Sequence, residues 1–336
     1  MRHSLALACA MMATPLAAHD IKIVTDFPVT HSLVSMVLGD HGSADLLLDR
    51  GGDAHSFQLR PSQARALADA DLIFWGGEDL TPWLARALAG TQTGADVVTL
   101  LNADGLTLQG FSHGHAHDDH ADDHDDHGHD DHAHDHDDHA HDDHGHDHDD
   151  HAHDDHGHDH AHDGTDPHAW MNTGNVEIWL DVIAAELAEH DPEHAQIYLA
   201  NAQSAKSEIS SLAQELAGVL EPVSAAPLVM FHDAYGYLAA QFGLNIAGTI
   251  ALGDAAAPGA QRLSELRAYL HDEGAVCVFP EVNHSSRYID IVVEGTQTRV
   301  GAELDPAGVT LEPGAGLYPA LMRDMAQALA ECVSRG

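Results

Sequence analysis

Residues 228–242 read LVMFHDAYGYLAAQF, an apolar run that passes directly into a segment of helical composition. The run from Leu228 to Phe231 is short and apolar, which predicts a buried strand. The residues from Ala234 to Phe242 predict a helix. A strand followed at once by a helix is the repeating unit of an α/β fold with a parallel sheet. His232 lies at the junction, where open α/β sheets bind their ligands.

The same alternation runs through the rest of the chain. Further strands are predicted at Ile21–Val24, Ala44–Leu48, Leu72–Trp75, Asp96–Leu100, Leu244–Ala247 and Ala275–Phe279. Helices are predicted at Thr30–Leu38, Pro61–Ala70, Thr81–Ala89, Asn175–Glu189, Ala260–His271, Arg287–Glu294 and Tyr318–Val333. Strands and helices in this order predict mainly parallel sheets flanked by helices. A length of 336 residues favours two such domains over one.

One long helical stretch separates the strands and helices of the N-terminal half from those of the C-terminal half. It opens at Pro192 and runs towards Leu220 without an internal proline. At 1.5 Å per residue it would be about 40 Å long, enough to cross from one lobe to another. We therefore expect an N-terminal lobe at 19–190, a linking helix at 191–221 and a C-terminal lobe at 222–336.

The N-terminus has the pattern of an export signal. Arg2 supplies a positive charge, Leu5–Ala13 a short apolar run, and Pro15–Ala18 the small residues of a cleavage site. Ten or so apolar residues are too few to span a bilayer. We therefore predict a signal peptide at residues 1–18 and a mature periplasmic protein that begins near His19.

The charge of the chain is strongly negative. Thirteen Lys and Arg residues stand against 55 Asp and Glu residues, for a formal net charge of −42. Nucleic acids and anionic membranes both require a basic surface, so neither is expected as a partner. An acidic protein suits a cation as its ligand.

Residues 112–164 consist almost entirely of His, Asp, Ala and Gly. They contain 21 of the 32 histidines, and no apolar side chain larger than Ala. Such a segment cannot bury enough apolar surface to offset the entropy of ordering, which predicts a disordered surface loop. So many imidazoles would bind metal ions. The loop could collect zinc for a tighter site, respond to excess zinc, or serve as a spacer that binds metal incidentally.

Two cysteines, Cys277 and Cys332, remain after the predicted signal peptide. In an oxidising compartment two such cysteines often form a disulfide. The alternative is a pair of buried free thiols.

Three histidines outside residues 112–164 lie at the ends of predicted elements: His55, His168 and His232. Three imidazoles suit Zn²⁺ and leave a fourth position for water or a carboxylate. Each of them could instead be an ordinary turn or helix-capping histidine. Their wide separation in sequence gives no local motif that would distinguish the two interpretations.

Several longer sequence segments resemble those of one protein family. They are GGDAHSF at 51–57, WGGEDL at 75–80, DPHAW at 166–170, FHDAYGY at 231–237, PGAQRL at 258–263 and CVFPE at 277–281. Together they resemble the zinc-uptake (ZnuA-like) branch of the metal-binding periplasmic proteins that serve ABC transporters. A His-rich loop just before His168 is also typical of that branch.

The resemblance implies two lobes joined by a long helix, with Zn²⁺ held in the cleft by His55, His168 and His232. It also supports a Cys277–Cys332 disulfide. The implied partner is an inner-membrane ABC permease with its cytoplasmic ATPase, and we expect the binding protein to be a monomer.

The resemblance leaves two alternatives for the fourth ligand, a carboxylate and water. Asp305 matches a position where some relatives supply a carboxylate, but water could take that place, and Asp305 could simply stabilise a turn. Some relatives have Glu before the first histidine, whereas this chain has Ala54. Glu78 and Glu281 lie near strand ends, and we do not expect them to be ligands.

Two other classes of function remain open. Three histidines and a water are also the ligands of many catalytic zinc sites, yet the chain has neither an HExxH sequence nor a nucleophile-elbow motif. A periplasmic zinc store or adhesin would use the insertion as its working part.

Overall fold

The computed structural model describes residues 21–91, 93–111, 164–251, 257–272 and 274–335. The predicted signal peptide lies outside these ranges. So does the predicted disordered loop, apart from Gly164.

The first lobe is built on a parallel sheet with the order β2-β1-β3-β4. Its strands are β1 (Ile23–Thr25), β2 (Ala44–Leu46), β3 (Leu72–Trp75) and β4 (Asp96–Thr99). Its helices are α1 (Pro28–Leu38), α2 (Pro61–Ala68), α3 (Pro82–Gly90) and α4 (Thr173–His190). Proline stands at the first position of α1, α2 and α3, where its missing N–H costs nothing.

The second lobe repeats the arrangement with a parallel sheet of order β6-β5-β7-β8. Its strands are β5 (Pro227–Met230), β6 (Asn245–Thr249), β7 (Cys277–Val278) and β8 (Arg299–Val300). Helices α6 (Gly236–Phe242), α7 (Ala260–Asp272) and α8 (Arg287–Val293) connect them. The predicted α/β class is therefore confirmed in both lobes.

A long helix, α5 (Ala195–Leu220), joins the two sheets. Its 26 residues make it about 39 Å long. Its buried residues follow one another at three- and four-residue intervals, which places them on one face: Tyr198, Ala202, Ala205, Ile209, Leu212, Leu216 and Leu220. This face packs against α1 and α4 of the first lobe.

The last helix, α9 (Leu317–Ser334), ties the second lobe back to the first. It packs against α5 and α1, and the backbone N–H of Tyr318 donates to the Ser32 hydroxyl at 3.0 Å. A disulfide joins Cys332 of α9 to Cys277 of β7. Within the described ranges, no helix is long and apolar enough to cross a membrane.

Candidate metal centre

Loops at the carboxyl ends of strands from both sheets meet around a small cavity of about 40 Å³. The first lobe contributes His55 and His168 to its wall, and the second contributes His232, His284 and Glu281. This is the edge at which open α/β sheets bind ligands.

The three histidines predicted from the sequence come together here. One ligand atom from each of His55, His168 and His232 lies within 4.8 Å of the others. The ring centroids of His55 and His168 are 5.3 Å apart, those of His168 and His232 are 5.3 Å apart, and those of His55 and His232 are 6.0 Å apart. We call these residues the inner group. The geometry brings them together, while their role as ligands stays a prediction.

His168 is held by a carboxylate two residues earlier. Oδ1 of Asp166 accepts from the backbone N–H of His168 at 2.9 Å and lies 2.7 Å from its ring Nδ1. An ionised carboxylate can only accept hydrogen bonds, so Nδ1 carries the hydrogen. The opposite nitrogen, Nε2, is buried and has no hydrogen-bond partner among the residues that the structure describes. This is the tautomer that a metal ligand requires.

His232 is held in the same way by a carboxylate distant in sequence. Its Nδ1 is hydrogen-bonded to Oε2 of Glu281, which is buried just beyond β7. Oε1 of Glu281 accepts from the Tyr235 hydroxyl at 2.9 Å. Burial raises the pKa of Tyr235 well above its ordinary value, and Glu281 raises it further, so the phenol stays protonated and donates. Nε2 of His232 is thereby directed to serve as a ligand.

His55 lies on the loop between β2 and α2. Its backbone N–H donates to Oδ1 of Asp53 at 2.9 Å, and this local turn fixes the backbone at His55. The preceding glycines are required by geometry: Gly51 has a φ of +73°, and a Cβ on Gly52 would come within 2.9 Å of the Asp49 carbonyl oxygen.

Hydrogen bonds across the cleft connect this loop to the second lobe. The backbone N–H of Gly51 donates to the Val309 carbonyl at 2.9 Å, and Arg50 donates to the Thr310 carbonyl at 2.7 Å and pairs with Glu312. The two lobes are therefore in contact around the inner group.

A second, overlapping set of potential ligands lies beside the inner group. One atom from each of His232, Glu281 and His284 falls within 4.8 Å of the others, and we call these residues the outer group. Burial lowers the pKa of His284, which favours the neutral imidazole that metal binding requires. His284 was not among the ligands predicted from the sequence.

Asp305 lies in the cavity wall but is engaged in its own turn. Its carboxylate accepts from the backbone N–H groups of Val309 at 3.0 Å and Thr310 at 2.7 Å, and from the Thr310 hydroxyl at 2.6 Å. Within the described ranges, it is not part of either group of potential ligands. Asp305 as a fourth ligand stays a prediction, and Glu78 is exposed outside the cavity.

The size and chemistry of the cavity together define what it can bind. Sites for organic ligands usually enclose about 300 Å³ or more, whereas this cavity has room for little more than an ion. Its central donors are imidazole nitrogens, which suit zinc and other late transition metals better than calcium or magnesium. Two parallel-sheet lobes, a long connecting helix and an ion-sized cleft define a solute-binding protein for a metal ion.

Comparisons with known proteins agree with this class. The family model described as ZnuA, zinc-uptake complex component A, periplasmic, matches residues 23–332. The chain therefore belongs to this family.

Two relatives match almost over their full length. The high-affinity zinc uptake system protein ZnuA of Paracoccus denitrificans is 49% identical over 332 residues, with 98% of each chain covered. The protein of the same name from Brucella suis biovar 1 is 41% identical over 337 residues, with 99% of each covered. A solved structure of the SBP FpvC from Pseudomonas aeruginosa in complex with Mn²⁺ has a TM-score of 0.73 at 17% identity, covering 94% of this chain and 99% of that one. At that identity the likeness supports the fold alone.

Proposed function

We propose that this protein captures Zn²⁺ in the periplasm at His55, His168 and His232 and delivers it to an inner-membrane ABC permease. The observation that carries the proposal is the convergence of three histidine nitrogens within 4.8 Å in an ion-sized cavity. Membership of the zinc-uptake family supports zinc as the cargo. The proposal includes the lobe boundaries predicted from the sequence, at 19–190 and 222–336, with the linking helix between them.

Capture neither forms nor breaks a covalent bond in the protein. Neutral imidazoles replace water around the ion, and Asp166 and Glu281 keep two of the three rings oriented and their Nδ1 atoms protonated. Because two of the three rings are held before the ion arrives, little of their conformational entropy is lost on binding. Three nitrogen donors at low coordination number also favour zinc over manganese, which prefers more oxygen ligands.

Delivery requires the lobes to separate. The inner group draws His55 and His168 from one lobe and His232 from the other, so opening of the cleft divides the ligand set. The bonds made by Arg50 and Gly51 across the cleft must break in the same movement. Docking on the permease supplies this opening in our proposal.

The test is a chelator competition that measures the zinc affinity and stoichiometry of the mature protein. A variant with His55, His168 and His232 all changed to Ala is compared with a control in which His41, His190 and His271, which lie outside the cavity, are changed to Ala. Both proteins are also made without residues 113–163. Gly110 and Thr165, on either side of that segment, form an antiparallel bridge, so a short connection can rejoin the chain.

We expect one tight site in the control, with or without residues 113–163, and its loss in the variant of the inner group. Loss of the tight site on deletion of residues 113–163 would instead make the protein a zinc store that works through its insertion. Hydrolysis of ester or peptide substrates by the zinc form would point to an enzyme.

A further inference from the structure

A second cavity adjoins the metal cavity in the second lobe. It encloses about 340 Å³, within the range of sites that hold organic groups. The loops that follow β7 and β8 form one side of it, and α9 forms the other. Val282 and Asp305 line both cavities. The proposed capture of zinc does not use this second space.

The floor of the second cavity is apolar. It is formed by Leu304, Leu321 and Met325, none of which is more than 2% exposed. An apolar chain that packed on these side chains would be removed from water, which is favourable.

The charged residues of the second cavity are acidic. Glu303, Asp305 and Asp324 line it, and among the residues that the structure describes no Lys, Arg or His does. Glu303 and Asp324 are exposed and have no ion-pair partner within the described ranges. The neighbouring Arg323 pairs with Glu215 of α5 instead.

This combination fits one kind of side chain. Lys and Arg have an apolar stem, which the floor would cover, and a cationic head, which the carboxylates would attract. The planar fork of an arginine guanidinium can also donate to two carboxylate oxygens at once.

Asp305 connects this cavity to the contacts that close the cleft. Its Oδ2 accepts from the backbone N–H of Thr310 at 2.7 Å and from the Thr310 hydroxyl at 2.6 Å. The Thr310 carbonyl in turn accepts from Arg50 of the first lobe at 2.7 Å. Oδ1 of Asp305 accepts from the N–H of Val309, whose carbonyl accepts from Gly51 of the first lobe. The carboxylate therefore holds the turn against which the first lobe closes.

We infer that the second cavity receives a basic side chain, Arg or Lys, of the membrane permease. This inference rests on the proposed function and names a surface through which docking acts on the cleft. The cation offsets the charges of Glu303 and Asp324 and competes with Thr310 for Asp305. The turn then loosens, and its bonds to the first lobe weaken.

The link to the cleft favours the permease over a free solute as the source of the cation. A free amine that loosened this turn would release zinc where no permease could take it up. A side chain of the permease releases the ion only at the transporter.

The experiment measures ATP-driven zinc uptake by the cognate permease and ATPase in liposomes, at increasing concentrations of the zinc-loaded full chain. The test variant carries Glu303→Gln and Asp324→Asn together. The control carries Glu331→Gln and Asp290→Asn, which remove the same charge from exposed positions of the same lobe outside the cavity. Chelator competition gives the zinc affinity of each protein.

We expect the concentration of binding protein that gives half-maximal uptake to rise by about tenfold in the test variant, because removing charges at the edge of an interface mainly slows association. Its zinc affinity should stay within about twofold of wild type, since neither residue lines the metal cavity. Uptake equal to that of the control would overturn the inference.

A second measurement separates a permease side chain from a free solute. The probe is N-acetylarginine amide, and N-acetylcitrulline amide is the control because it has nearly the same shape without the charge. Transfer of zinc from the loaded protein to a chromophoric chelator is followed by stopped flow. We expect the arginine probe to accelerate transfer severalfold from wild type and not from the test variant.

Acceleration by the arginine probe together with normal uptake by the test variant would make the cavity a site for a free organic cation, and the inference would fail. No acceleration would overturn the link between the cavity and the cleft. A wild-type protein without a tight zinc site would instead refute the proposed function, so the failures can be told apart.

Discussion

The ring Nδ1 of His168 lies 2.7 Å from Oδ1 of Asp166, and the same oxygen accepts the backbone N–H of His168. Both side chains are buried, and Oδ2 of Asp166 faces the side-chain amide of Gln109 at 3.5 Å. Glu281 and His232 repeat the relationship in the other lobe. Each lobe therefore brings one imidazole whose orientation is set by a buried carboxylate.

Asp166→Asn should weaken zinc binding about 10- to 100-fold, the usual effect of losing a carboxylate behind a metal-binding histidine. The amide is isosteric and still accepts a hydrogen bond, but it removes the negative charge that makes the imidazole a better donor. Chelator competition measures the effect. Asp96→Asn is the control, because Asp96 pairs with His190 on the surface. Equal affinities in the two variants would contradict an orienting role for Asp166.

These carboxylates show where sequence reasoning reached its limit. The three histidines became candidates because each lies at the end of a predicted element, and the family resemblance then grouped them as one ligand set. Asp166 stands two residues before His168, and the Asp-Pro-His order was a local signal that could have identified it. Glu281 is 49 residues from His232, and the two meet only because β5 and β7 are neighbours in the sheet. No local sequence pattern indicates that β5 and β7 are neighbours.

The elements themselves were mostly predictable, because apolar runs and helical periodicity are local properties. The strand β8, Arg299–Val300, was not predicted. Two residues are too few to show any alternation, and the strand exists because β7 offers it a parallel edge.

Asp305→Asn tests whether this carboxylate binds the ion. The amide oxygen can still accept from the N–H and hydroxyl of Thr310, and the loop loses only the bond that Val309 donates to the other carboxylate oxygen. Because the carboxylate already accepts three hydrogen bonds from the turn, we expect the zinc affinity to fall by less than about tenfold, below the effect of Asp166→Asn. A loss of affinity as large as that of His168→Ala would establish Asp305 as the fourth ligand.

The disulfide should matter for stability and not for zinc binding. Cys277 and Cys332 are 55 residues apart in sequence. Changing both to Ala should lower the free energy of unfolding by about 4 kcal/mol, mainly by releasing the unfolded chain from a closed loop. Urea denaturation of the metal-free protein measures this change. Zinc affinity is the internal control, and a large change in it would show that the link also shapes the cleft.

Asp26 should make stability depend on pH. Burial raises its pKa from 3.8 to about 6, although Gly76 and Thr81 donate hydrogen bonds to it. The folded protein therefore binds this proton more tightly than the unfolded chain. The stabilisation that results is complete below pH 3.8 and is lost as the pH rises through about 6.

Replacing Asp26 by Asn removes this titration. The free energy of unfolding of Asp26→Asn minus that of the wild type should therefore increase by up to about 3 kcal/mol between pH 4 and pH 7. Urea denaturation at a series of pH values measures the difference, and Asp181→Asn at an exposed ion pair is the control. Parallel profiles for wild type and Asp26→Asn would show that the buried group does not titrate in this range.

The buried carboxylates behind the histidines also bear on which ions the cleft can accept. A divalent cation among three neutral rings would have Asp166 and Glu281 each one imidazole away. Two positive charges offset these two negative charges, which lowers the cost of burying the ion. Asp53 and Asp305 also line the cavity, so the cleft stays acidic with a divalent ion bound. The imidazoles select the element by its preference for nitrogen, and the carboxylates around them favour a cation.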